Sequence, residues 1–302
     1  LSGGDVKKEI VVGVLIAAVI TALVAVVALK TLTERREVKF HLGCELPPGV
    51  EGELSSYRVV PYNLSTEEFL QMARVLGLNG TPSPHPDYPG YILVVEQEGY
   101  MRSLEYFSET GVFAYFDERV SYPTSPPPQE SIPTVEEARE IAEEFMRRWG
   151  FWQDNMTPAS TGSTTMGVGG KGGEGGQEWV LSRSVSFTEH LEGYPLVGAG
   201  AKVSVTVGAD GEIGGFILPR RNYTATGVVN AISPEEAYRK LKSGEQMDGL
   251  ILAEGDVYIK EVYPAYYLST ILEDPREILP CYVFEGVLED GEEVRLYVSA
   301  VE

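Results

Sequence analysis

Residues 186–213 read SFTEHLEGYPLVGAGAKVSVTVGADGEI. From 180 to 188 apolar and polar residues alternate, the period of a half-buried strand. Gly193, Pro195 and Gly198 then interrupt the pattern, as turn residues do. Alternation resumes over 201–208, and Asp210-Gly211 accepts the positive φ of a tight hairpin into 212–218. Working outward, strand signals occur at 91–96, 101–106 and 112–117, and again at 257–267, 281–288 and 294–301. The last two surround Asp290-Gly291, a second hairpin signal.

Three helices interrupt the strands, each announced in the same way. Ser65, Thr134 and Ser233 are followed three residues later by Glu68, Glu137 and Glu236, the spacing of a capping box. The helices are expected at about 66–76, 135–149 and 234–243. In the first two, Phe69, Met72 and Leu76, then Ala138, Ile141, Ala142 and Phe145, recur at helical spacing and form buried faces. Helices alternating with antiparallel strands predict an α+β fold built as tandem sheet-plus-helix units. The expected division is a polar stub at 1–9, an apolar helix at 10–29, and a stalk and linker at 30–53. A first α+β unit then occupies 54–122, a proline-rich linker 123–133, and a second, larger unit 134–302 with a glycine-rich loop at 162–176.

The stretch quoted above, with Gly193, Pro195 and Gly198 and the Asp210-Gly211 hairpin, resembles the PepSY-like extracytoplasmic domains. That family includes the YycI/YycH accessory proteins. The similarity extends through the helix opening at Ser233 to the segment Pro280-Cys-Tyr-Val-Phe-Glu-Gly286. It covers about 133–302, with a fainter copy in 54–120. It implies a membrane-anchored accessory protein that regulates a sensor kinase through protein contacts. It brings no shared catalytic residues.

Ile10 to Leu29 reads IVVGVLIAAVITALVAVVAL, without charge or proline. At about 1.5 Å per residue, a helix of this length matches the ~30 Å hydrocarbon core. It predicts a transmembrane or stem helix. Lys30, Arg35, Arg36 and Lys39 after it would by themselves keep the following chain inside, but long domains cross largely regardless of flanking charge. The sequons point outward. Of five asparagines, four open N-x-Ser/Thr: Asn63, Asn79, Asn155 and Asn222, the third followed by Pro158. Cys44 and Cys281 fit either a long-range disulfide in an oxidising compartment or two free thiols.

Chemistry is harder to find. Gly167-Val-Gly-Gly-Lys-Gly172 matches G-x-G-x-x-G in letters only, without the strand before it and helix after it that a dinucleotide site needs. His41, His85 and His190 show no metal-ligand spacing, and the turn at Glu289-Asp290-Gly291-Glu292-Glu293 lacks the alternating ligands of an EF-hand. No catalytic, cofactor-binding or metal-ligating residue is assigned, no cofactor is expected, and a net charge of −21 excludes a nucleic-acid partner. Seventeen tyrosines suit contact surfaces.

The expectation is a non-enzymatic, membrane-anchored surface glycoprotein that binds an unidentified membrane or surface protein. Its location would be the cell membrane, with the C-terminal region extracytoplasmic. The alternative is a subunit of an extracellular filament. There the 10–29 helix resembles that of type IV pilin-like proteins, and its Gly13, Ala17, Ala18, Ala22, Ala25 and Ala28 would pack against other copies in a homo-polymer rather than against lipid.

Overall fold

The structure, a computed structural model, describes residues 38–50, 53–84, 90–168, 177–247, 255–269 and 277–301. The apolar run 10–29, the stub before it, His85 and residues 169–176 of the glycine-rich segment lie outside the described residues. Among the described residues no helix is long and apolar enough to cross a membrane.

The expected α+β fold of tandem units is corrected. Among the described residues strand predominates, and one mixed system of fifteen strands runs through them. The reason lies in segments whose sequences lack a clear period. β1 (Lys39–Leu42) falls where a stalk was expected, and β2 (Glu53–Pro61) where a linker ends. β7 (Met156–Val168) absorbs the start of the glycine-rich segment, and β12 (Arg221–Asn230) is a polar strand. These strands supply ladders that join distant parts of the chain.

The first half of the system is antiparallel. It contains β3 (Ser83–Pro84), β4 (Tyr91–Glu98), β5 (Tyr100–Phe107), β6 (Val112–Asp117), β8 (Gln177–Leu191), β10 (Val203–Val207) and β11 (Ile213–Pro219). Its order is β8-β10-β11-β6-β5-β4-β3, with β7 on the other edge of β8. The second half contains β13 (Asp256–Leu268), β14 (Glu277–Leu288) and β15 (Glu293–Ser299), with order β12-β2-β14-β13. There β15 also pairs with β14, and β1 runs parallel to β13. Strands from either side of 123–133 therefore pair in both halves: β6 with β11, and β2 with β12. Gln129 fastens this proline-rich segment, its side chain bonding both Val180 N (2.9 Å) and Val180 O (3.0 Å).

One short strand joins the halves. β9 (Tyr194–Val197) folds back on β8 and runs parallel to β13, pairing Leu196 with Tyr266 and Val197 with Tyr267. The crossing is close enough to require glycine. Gly198 has φ +94°, and a Cβ there would stand 2.5 Å from Leu268 O.

Helices cover one face of each half. α1 (Thr66–Val75) and α3 (Val135–Arg148) lay Phe69, Met72, Ala138, Ala142 and Met146 on a core shared with Val94, Leu104, Phe113, Val185, Val205 and Phe216. Burial of each large side chain contributes about 1.5–3 kcal/mol. α4 (Pro234–Lys242) sets Ala237 and Leu241 on Val257, Ile259, Tyr282, Phe284 and Val298 of the second half. The first two capping boxes form: Ser65 N and Thr134 N donate to Glu68 and Glu137 at 3.0 and 2.9 Å, and each hydroxyl accepts from the glutamate's N–H. The third forms only by half. Ser233 Oγ accepts from Glu236 N at 3.2 Å, while the Glu236 carboxylate pairs with Arg239. The short α2 (Glu118–Ser121) closes the foot of the first half, where Ser121 Oγ donates to Gly214 O at 2.9 Å.

Candidate functional site

The seam between the halves holds a buried polar cluster. Glu189 on β8 and Arg221 on β12 have fully buried side chains, with Arg221 Nη2 2.6 Å from Glu189 Oε2. Arg221 also donates from Nε to Tyr223 Oη (2.9 Å) and from Nη1 to Gly200 O (3.2 Å). Tyr223 Oη in turn donates to Glu189. Burial works against the guanidinium charge, but Glu189 and Tyr223 outweigh it and hold Arg221 above its ordinary pKa. Burial pushes the Tyr223 hydroxyl well above its own. With three bonds donated by Arg221 and its ion pair to Glu189 fully buried, the cluster ties β8, β12 and the turn after β9 together.

Glu192 stands beside this cluster at the tip of the β8–β9 hairpin, with φ +51° followed by Gly193 at +86°. The two positive φ values suit a tight hairpin turn. Tyr266 Oη and Ser55 Oγ donate to its carboxylate at 2.7 and 2.8 Å. Those bonds, Tyr266's first, then Tyr57's and Ser55's, hold its pKa below the usual carboxylate range. Glu192 thus links β8–β9 to β2 and β13. Its role was not legible in the sequence, where it is one glutamate among many before a glycine.

The histidines are placed apart. His190 Nδ1 lies 3.2 Å from Asn155 O, while its neighbour Glu189 turns to Arg221, so the two form no acid–base pair. His41 pairs with Asp256 (2.8 Å) and stacks on Tyr258 at the exposed end of β1. Among the described residues no cluster of side chains has the makings of a metal site. At the acidic turn, Glu292 N donates to Asp290 Oδ1 at 3.0 Å.

Cys44 and Cys281 are free thiols. Cys44 packs against the core that holds Tyr282 and Phe284, whereas Cys281 lies with Val283 in a separate cluster. Successive strand residues face opposite ways, so β14 stands between the two thiols. Burial raises the Cys281 pKa, and burial together with Glu261 raises that of Cys44.

The broadest feature is the face of the first half that turns away from α1 and α3. Register places Val95, Ser103, Phe116, Gly215, Thr206 and Ser184 in one row across six strands. A groove of about 220 Å³ crosses this face, lined in part by Phe116, Tyr122, Lys202, Ser204, Thr206 and Ile217. Tyr122 follows α2, is 62% exposed, and leans on Phe116 with ring centroids 6.1 Å apart. The signal was present in the sequence. Ser184, Ser186, Ser204 and Thr206 alternate with core valines and phenylalanine.

No sequon asparagine belongs to that row, although Asn79 N bonds Glu96, the neighbour of Val95, at 2.5 Å. Asn63 sits in the loop before α1, Asn79 in the loop after it, and Asn222 on β12, all exposed. Asn155 is half-buried, with Nδ2 donating to His190 O at 2.9 Å. Asn155 and Asn222 help to line an open cleft of about 470 Å³ with Tyr62, Gln153 and Arg220, whose guanidinium covers the Tyr62 ring at 3.9 Å.

No known protein family and no curated protein matches the chain. Among solved structures, it is similar to an uncharacterized protein from Eubacterium rectale ATCC 33656. That similarity has a TM-score of 0.46 and 11% identity, and covers 87% of this chain and 89% of that one.

Proposed function

We propose that the chain is a non-enzymatic, membrane-anchored extracytoplasmic protein that binds a partner protein through the open face of its first half. One observation carries the reading. In a chain of net charge −21, the six residues of the row from Val95 to Ser184 carry no charge and include no sequon asparagine, and Lys202 is the one charged residue lining the groove that crosses them. Interface cores are depleted in charge and enriched in aromatic residues, which here are Phe116 and the protruding Tyr122. The apolar run at 10–29 would supply the anchor.

A photo-reactive side chain at Ile217, in the full chain on living cells, tests this. A discrete adduct with one membrane or surface protein is expected, and none from the same probe at Glu144 on the outward face of α3. An adduct between copies of this chain would favour homo-polymeric assembly instead. Absence of any adduct specific to Ile217 would refute the reading.

A further inference from the structure

β12 is the outermost strand of the second half. It pairs with β2 on one side and, among the described residues, with no strand on the other. Asn222 to Asn230 reads NYTATGVVN, with no charged residue, and Val228 is 60% exposed. A free edge of this length invites another strand, and proteins blunt such edges with lysine, proline, bulges or a covering element. Here lysine and proline are absent, the bulge between Ala225 and Gly227 interrupts only the middle, and cover reaches only the first residue, where Gln153 Nε2 donates to Arg221 O at 3.2 Å. Near its start the strand carries a sequon, Asn222-Tyr-Thr224, with Asn222 exposed and paired with Val60, itself 43% exposed. Asn63 lies close by, because Tyr62 N bonds Arg220 O at 3.0 Å, immediately before β12.

Asn155 differs on two counts. Its amide nitrogen is turned 2.9 Å from a backbone carbonyl, and Pro158 directly follows Thr157, the hydroxyl residue of its sequon.

We propose that Asn63, Asn79 and Asn222 carry N-linked glycans, that Asn155 does not, and that the Asn222 glycan shields the free edge of β12 from strand addition. The proposal rests on the extracytoplasmic reading. An added strand would run about 4.8 Å beyond β12, placing its side chains directly beside Asn222. A branched sugar on that side chain would occupy the same space.

Glycopeptide mapping of the full chain from its native host is the first test. The expected result is glycan at Asn63, Asn79 and Asn222 and bare Asn155. Equal occupancy at Asn155, or a bare Asn222, overturns the proposal. Protease added to intact cells separates this from the underlying reading: a chain cleaved from outside but bare at every sequon is extracytoplasmic, and only the glycan proposal falls.

The second test compares Thr224→Ala, which removes the Asn222 sequon, with Thr81→Ala, which removes that of Asn79. In sedimentation of the purified full chain, Thr224→Ala and Asn222→Gln should shift from one copy to two or more. Thr81→Ala and the parent should stay single, and Val228→Lys added to Thr224→Ala should restore the single copy. If Thr224→Ala and Asn222→Gln both sediment like the parent, the shielding role is wrong.

Discussion

Replacing Arg221 by methionine should loosen the seam between the two halves. The substitution removes three donated bonds, to Glu189 Oε2 (2.6 Å), Tyr223 Oη (2.9 Å) and Gly200 O (3.2 Å). All three are donated by a charged guanidinium, and hydrogen bonds involving a charged group contribute about 1.5–3 kcal/mol each, the first also joining two opposite charges. Glu189 would be left with a fully buried carboxylate and one hydroxyl donor. Breaking a buried pair from one side typically costs about 3–5 kcal/mol, and that is the loss expected here. Against a total stability of about 5–15 kcal/mol, the shift in denaturation midpoint should be plain. The assay is guanidinium unfolding followed by the fluorescence of Trp149 and Trp152, which pack against the first core. The control is Arg221→Met with Glu189→Leu, which removes both charges and should recover about 1 kcal/mol or more of the single variant's loss. A single-variant cost below about 1 kcal/mol, or strictly additive costs, would refute the view that this pair fastens the seam.

Three further outcomes are expected. The Glu192 carboxylate has a depressed pKa, so its contribution to stability is present above the unfolded value of about 4.3 and is lost as pH falls through the folded one; Glu192→Gln should therefore flatten the acid limb of the stability profile, and an unchanged limb would count against it. Thr134→Ala removes the hydroxyl that caps α3 and should lower stability by about 0.5–2 kcal/mol in urea titrations, whereas Ser131→Ala, outside the helix, should cost less. Alkylation of the denatured, unreduced chain should add two adducts by mass, while Cys281 stays unmodified in the native state; a thiol pair that reacts only after reduction would contradict the placement of Cys44 and Cys281 on opposite sides of β14.

The helices were the most legible part of the sequence. Expected at 66–76, 135–149 and 234–243, they are Thr66–Val75, Val135–Arg148 and Pro234–Lys242, because a capping hydroxyl and an apolar stripe are local signals. Val112–Asp117 matches its expected span, and Asp210-Gly211 does adopt positive φ between β10 and β11. What escaped were strands whose residues show no period. In β12 the bulge at Ala225/Gly227 breaks the alternation, and one side of the strand faces solvent, so no apolar pattern is required of it. β7 is rich in Thr, Ser and Gly because it lies at an edge, and β1 is only four residues long. Missing these strands turned one continuous sheet system into apparent tandem units. The seam was illegible for a different reason: Glu189 and Arg221 are 32 residues apart and meet only through the folding back of β9.

The position of β1 gives the fold a mechanical direction. Whatever precedes Val38 enters the described structure through this strand, whose ladder to β13 is four residues long, from Lys39–Asp256 to Leu42–Ile259. Because the two strands are parallel, a pull on the N-terminal side slides them past one another and loads the slanted ladder bonds together rather than opening them in turn. From β13 the force passes through the two-residue ladder to β9 and on to β8. The open face of the first half therefore hangs from two short parallel ladders in series. The shorter of them, braced by Arg221 and Glu189, is where tension would first let the halves swing apart.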